Sequence, residues 1–401
     1  METDSLGIGQ EIRRIRRMRG LSLEVVAHRA GFTKGYLSRI ETGAVPIERR
    51  STLTKIADAL ECSIADFGIT HVLVDPADSD SEAQGALPAI RHALLSTSLD
   101  DVDEPSRRTI AELAEQTTNL AELRQACKYV EVGRALPSLL TDLHAIAAEG
   151  GDERPEALRS IVQATQVTAL LVKNLGAVDL AWVAAERGNA AAKKLDDPLW
   201  IAASEFARTQ ALVGLGAYKR AAALAQKAAE LLDTKTPESI EVYGTSILTA
   251  AFSAGVTGTG DPEAAVEEAA DLAARTPGTN AFFLAFSRTN VDLWRISIAL
   301  EADDPVRAAE VARRVRLENI PARSRQVAFL IDHARALHKL RGRDAEVLKL
   351  LKKAHKLGPS RTGHSFWARE IVSEIWNRSR RDAGGSDLRG LADRMGMLQA
   401  I

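Results

Sequence analysis

Eight basic side chains crowd the stretch from Gln10 to Ile40: Arg13, Arg14, Arg16, Arg17, Arg19, Arg29, Lys34 and Arg39, against only Glu11 and Glu24. The whole chain holds 52 Lys and Arg against 54 Asp and Glu, a formal net charge of −2, so this excess is local. A local basic face is what a polyanionic partner requires. Lys34 and Arg39 have the chemistry to donate to guanine O6 and N7, Arg39 through both arms of its guanidinium. A good pair of that kind discriminates between bases by ~1–3 kcal/mol. Thr33, Tyr36 and the Arg49–Arg50 pair suit phosphate oxygens, contacts that fix register rather than sequence. Arg14 and Arg16 read equally well as cations solvating an exposed face.

Other chemistries lack their residues. There is no GxxxxGK[ST] loop, HExxH, GxSxG or paired-cysteine motif, and the eight histidines are scattered without metal-ligand spacing. No catalytic residue, metal or cofactor is expected. Cys62 and Cys127 stand in unrelated contexts, which excludes a disulfide framework and leaves two ordinary thiols. No window holds the ~18 apolar residues of a membrane span, and the polar, acidic N-terminus is unlike a signal peptide, so a cytoplasmic location is expected, on the nucleoid when DNA is bound.

The elements that must hold the cations follow from their neighbours. Ser22 precedes a run of helix formers and reads as an N-cap. Ala27 falls where two helices would cross, and a larger side chain would hold them apart. Gly31 sits at the turn, where positive φ is easiest for glycine. Thr33 caps the next helix, and Leu37 and Ile40 point back onto the first. A small residue, then Gly four positions on, then apolar residues six and nine further, is a helix-turn-helix pattern. Ile8, Ile12 and Ile15 stripe a helix before it. Leu53, Ile56, Ala57 and Leu60 stripe one after it, and Ile64 with Phe67 a short last one.

This five-helix head resembles the xenobiotic-response-element/phage-repressor family, through TyrLeuSerArgIleGluThrGly (36–43) and LeuThrLysIleAlaAspAlaLeu (53–60). The resemblance implies that the helix from about Thr33 to Glu41 lies in the major groove of a double-stranded DNA operator. Lys34, Gly35, Ser38 and Arg39 would face the bases there, and Gly35 would let the backbone come close. Arg17 is a further candidate cation for the DNA backbone. Leu23 stands where the family commonly has a polar residue, often glutamine, touching a phosphate; that contact is either missing here or falls to Arg29 or a neighbour. One module covers half an operator, so a homodimer is expected, reaching half-sites ~34 Å apart.

Behind the head, residues 71–86 are polar and acidic and read as a flexible linker between a 1–70 domain and an 87–401 domain. From about Leu87 onward the pattern is helical almost without interruption. Hydrophobic residues make up 45% of the chain and aromatics only 4%, which favours close helix packing over sheets. Joints recur at Gly176–Ala177, Gly216–Ala217, Gly260–Asp261, Asp303–Asp304 and Gly342–Arg343, in steps of about 40 residues. The expected fold is therefore all-α: a five-helix head and a right-handed α-solenoid of stacked hairpins. The unit Leu199–Leu232, with its LeuGlyAlaTyr turn and spaced alanines, resembles tetratricopeptide repeats, although the period here is longer.

A solenoid of hairpins encloses a concave groove suited to peptides. Arg208, Arg288 and Asn290 are candidates to line it: an arginine to hold a carboxylate, an asparagine amide to pair with a peptide backbone. The combination resembles peptide-pheromone-receptor regulators and developmental regulators of actinobacteria. It implies a peptide or small-molecule effector that tunes DNA binding in a regulator of transcription. An interaction scaffold or antitoxin-like partner, whose helix-turn-helix contacts protein, stands as the alternative.

Overall fold

In a computed structural model the described residues are 8–67, 79–101, 104–379 and 386–397. The head comprises α1 (Ile8–Met18), α2 (Leu23–Ala30), α3 (Lys34–Glu41), α4 (Arg50–Leu60) and a 3-10 turn at Ile64–Phe67. Helices α5 (Ser79–Gly85) and α6 (Leu87–Ser96) lead into the array. Its hairpins are α7 (Ile110–Gln125) with α8 (Tyr129–Glu149), α9 (Arg154–Asn174) with α10 (Val178–Leu195), and α11 (Pro198–Leu215) with α12 (Tyr218–Glu230). There follow α13 (Pro237–Thr257) with α14 (Pro262–Arg275), α15 (Arg288–Glu301) with α16 (Pro305–Arg314), and α17 (Arg323–Lys339) with α18 (Asp344–Leu357). Helices α19 (Pro359–Gly363), α20 (Phe366–Ser379) and α21 (Ser386–Arg394) close the far end. No strand occurs among the described residues.

All five joints read from the sequence are turns within hairpins. What starts each helix is local. Asp197, Thr236, Asp261 and Asp304 each accept a backbone N–H from the following turn, and each is followed by a proline at the first helical position. The side chain satisfies an orphan donor, and proline has no N–H to lose there. What packs the hairpins is small side chains. Ala181, Ala184 and Ala185 of α10, Ala221, Ala225 and Ala228 of α12, and Ala308, Ala309 and Ala312 of α16 are all buried. Helices α9, α11, α13, α15 and α17 stack on one another along the inner side of the array. The array also closes on itself, because α7 meets α17 and α5 meets α19.

That closure corrects the linker reading. Residues 68–78 lie outside the described residues, but Ser79–Gly85 is a helix packed on α8 and α19, and Ala83 is fully buried. The segment looks polar because only one of its faces meets the array. The tail beyond Arg380 is likewise packed over its described part: Leu388, Leu391 and Met395 are buried, and α21 contacts α18 and α20.

Candidate nucleic-acid interface and the inner face of the array

The geometry of the head begins with two caps. Ser22 Oγ accepts the Val25 N–H at 3.2 Å, and Thr33 Oγ1 accepts the Tyr36 N–H at 3.2 Å. Between them Gly31 takes φ 71°, ψ 32°, the left-handed region that ends α2 and turns the chain into α3. Ala27 is 1% exposed, Leu37 0% and Ile40 2%, so the inner side of α3 is anchored in the head core. Its other side is free: Thr33, Lys34, Gly35 and Arg39 are exposed, and Tyr36 and Ser38 half-buried. Lys34 meets Glu24, at 3.9 Å across the turn. The array does not cover this face.

Among the flanking cations, Arg17 is exposed on α1. Arg29 turns away from α3, its Nη1 donating to the Ala59 carbonyl at 3.5 Å and to Glu61 at 3.4 Å. Arg14 pairs with Glu11 on its own helix. The burial of Arg16 is not marked in the sequence. Its guanidinium forks onto both oxygens of Glu41, at 2.6 and 2.8 Å, and donates to the Leu21 carbonyl at 2.9 Å. Arg16 thus ties α1 to the C-terminal end of α3. Glu41 belongs to the motif that carried the family resemblance, which was the available clue.

Arg49 and Arg50 correct the phosphate reading. Arg49 pairs with Asp303 of the array. Arg50 pairs with Glu301, takes its carboxylate at the backbone N–H as well (3.1 Å), and lies over the Phe252 and Trp367 rings at 5.3 Å each. Glu301 also accepts from Arg335 at 2.8 Å, and Arg335 reaches back to the Glu48 carbonyl at 2.7 Å. The start of α4 is therefore a plug seated in α13, α15, α17 and α20. Burial alone would raise the Glu301 carboxyl, but Arg335 and Arg50 outweigh it and hold it at about 2. The opposite end of the head adds Ser63 Oγ donating to the Leu215 carbonyl at 3.3 Å.

Residues 8–67 match the family model described as a helix-turn-helix domain. The head is a helix-turn-helix domain. It is of the xenobiotic-response-element type that the resemblance implied. Across the chain, the crystal structure of Bacillus thuringiensis PlcR in complex with the peptide PapR7 and DNA is 16% identical. That match covers 93% of this chain and 98% of that one, at a TM-score of 0.24. No curated protein matches the chain. No helix among the described residues is long and apolar enough to cross a membrane. No group of three or more His, Cys, Asp or Glu among them could hold a metal ion.

Behind the helix-turn-helix, the three candidate groove residues separate. Arg208 is committed to the fold: it pairs with Glu186 at 2.6 Å and Glu205 at 2.7 Å and lies over the Trp182 ring. Its Nε and Nη1 are thus turned to acids of the fold itself rather than to a ligand carboxylate. Arg288 is exposed at the start of α15. Asn290, buried, does line an inner cavity, where its Oδ1 accepts from Arg325 Nε at 2.8 Å.

The segment before α15 enters the groove itself. Asn280, Phe282, Phe283 and Ala285 all have positive φ, between 50° and 59°. Side chains disfavour that region, so the surroundings must hold it in place. Both Glu241 oxygens accept from the loop, at the Thr279 and Ala281 N–H groups. Gln166 donates to the Phe282 carbonyl at 2.6 Å, Gln125 to that of Phe283 at 2.9 Å, and Phe282 packs edge-on against Trp200. Part of the peptide-sized groove expected from the repeat pattern is thus filled by the chain's own loop.

Proposed function

We propose that this chain is a sequence-specific DNA-binding transcriptional regulator that works as a homodimer in the cytoplasm. Helix α3 enters the major groove, with Lys34 and Arg39 reading base edges and Gly35 allowing close approach. Thr33, Tyr36, Ser38 and Arg17 supply the surrounding contacts. The array binds an effector, a peptide or a small molecule, that alters DNA affinity through the seat of α4. That mechanism requires the effector to favour one arrangement of the two parts; a hundredfold preference corresponds to ~2.7 kcal/mol.

One observation carries the reading: α3 exposes Lys34, Gly35 and Arg39 together while Ala27, Leu37 and Ile40 anchor its other side. Two exposed guanine donors on one face of a helix favour a nucleic-acid partner over an interaction scaffold. Selection of bound fragments from genomic DNA, followed by footprinting, tests it. The expected result is a protected site with two half-sites about one helical turn apart, ~34 Å. Retention of no fragment above background would favour the scaffold reading, and uniform retention of all fragments would mean DNA binding without sequence choice.

A further inference from the structure

Inside the ring of helices is a cavity of about 60 Å³, roughly four waters' worth. Four cationic side chains line it: Arg124 of α7, Lys173 of α9, Arg325 of α17 and Arg361 of α19. Asn174, Gln210 and Asn290 add amides. Among the described residues no carboxylate pairs with any of the four. Asp332 acts on Arg325 and Arg361 only at range and is engaged by the Ser297 hydroxyl at 2.6 Å.

Among the described residues, two donors on the wall have no partner. Arg124 is 6% exposed, and its Nε is unpaired; Trp294 is 9% exposed, and its Nε1 is unpaired. Arg124 Nη2 reaches only the Phe283 carbonyl, at 3.4 Å. Lys173 Nζ donates to Gln210 Oε1 at 2.9 Å, a neutral acceptor. Burial pushes the Lys173 ammonium down to about 7, and the guanidiniums of Arg361, Arg50, Arg325 and Arg124 push it the same way. Burial also brings Arg124 and Arg325 down to about 10. Buried charge is ordinarily paired, because taking it out of water unpaired is costly. Here charge is concentrated without a counter-charge, among surplus donors, on four separate helices that a closed ring brings together.

We propose that this cavity is an anion-binding site, taking a compact carboxylate or phosphate group of the effector. The proposal rests on the reading of the array as the sensing part. It is measured without DNA, so its failure leaves the reading of α3 standing.

The test is thermal unfolding of the full chain at constant ionic strength, balanced with chloride. The probes are inorganic phosphate and acetyl-Ala-Ala with either a free carboxylate or a carboxamide. Phosphate, the free-carboxylate peptide or both should raise the melting temperature saturably, and whichever acts identifies the headgroup. The carboxamide should not act. Lys173→Met should weaken the active anion at least about tenfold, the scale of one lost charge-assisted hydrogen bond. It should also melt higher than wild type without anion, because it removes an unpaired buried charge. Lys173→Arg keeps the charge and should keep the response. A wild-type protein that responds to neither anion overturns the proposal, as does a Lys173→Met protein that responds as wild type does.

Discussion

Arg16 and Glu41 form the most consequential ion pair of the head, because they join α1 to the end of α3. Both are buried, and each satisfies the other through two hydrogen bonds. Glu41→Gln would leave the Arg16 cation buried without its counter-charge, a loss of the order of 3–5 kcal/mol. Denaturant unfolding of the full chain should register it as a lower midpoint of the head transition. An unchanged midpoint would mean that the pair contributes nothing to holding α3. At this scale the sequence was legible where a residue's neighbours in the chain decide its environment. Ser22, Thr33 and Gly31 take the roles their types imply. It was illegible for arginines, whose long side chains carry the same charge whether they face solvent, as Arg17 does, or a carboxylate 25 residues away, as Arg16 does.

At the scale of elements, α1 and α3 approach so closely that no side chain fits between them. A Cβ added to Gly9 would lie 2.1 Å from the Ile40 carbonyl oxygen. That neighbour is backbone and cannot rotate away. Gly9→Ala is therefore expected to cost about 1–3 kcal/mol as overpacking. DNA affinity should fall with it, because the displaced element is α3; thermal melting and binding measured on the same preparation check both. The hairpins were legible because their signals are local and periodic: a capping residue, a proline, and alanines at helical spacing. The loop with four left-handed non-glycine residues was not. Nothing in Asn280–Ala285 announces positive φ; the carboxylate of Glu241, the amides of Gln125 and Gln166 and the loop's own Asn280 Oδ1, which accepts the Ala285 N–H, hold it.

For the whole molecule, the seat of α4 joins the helix-turn-helix to the array through Glu301, which is 251 residues away in the chain from Arg50. No spacing rule reaches that far, so Arg49 and Arg50 looked like phosphate contacts. The ring closure that gathers four cations from α7, α9, α17 and α19 was hidden for the same reason. The seat has a pH signature. Glu301 titrates at about 2 in the folded chain against an ordinary 4.5. A carboxyl depressed in this way stabilises the fold fully above its ordinary value, and the contribution is lost as pH falls from about 4.5 towards 2. Glu301→Gln should lower the melting temperature at pH 7, leaving Arg50 and Arg335 buried without their acid. It should also flatten the acid-side fall; parallel pH profiles for variant and wild type would contradict the seat as described.

The central claim is that α3 reads base edges, and the most direct measurement compares Arg39→Ala with Arg17→Ala on a selected operator and on unrelated duplexes across a salt series. Arg39→Ala should lose about 1–3 kcal/mol on the operator while keeping its affinity for unrelated DNA. Arg17→Ala should weaken both alike and reduce the salt slope by about one. If Arg39→Ala instead binds operator and unrelated duplex with the wild-type ratio, α3 is not the reading element.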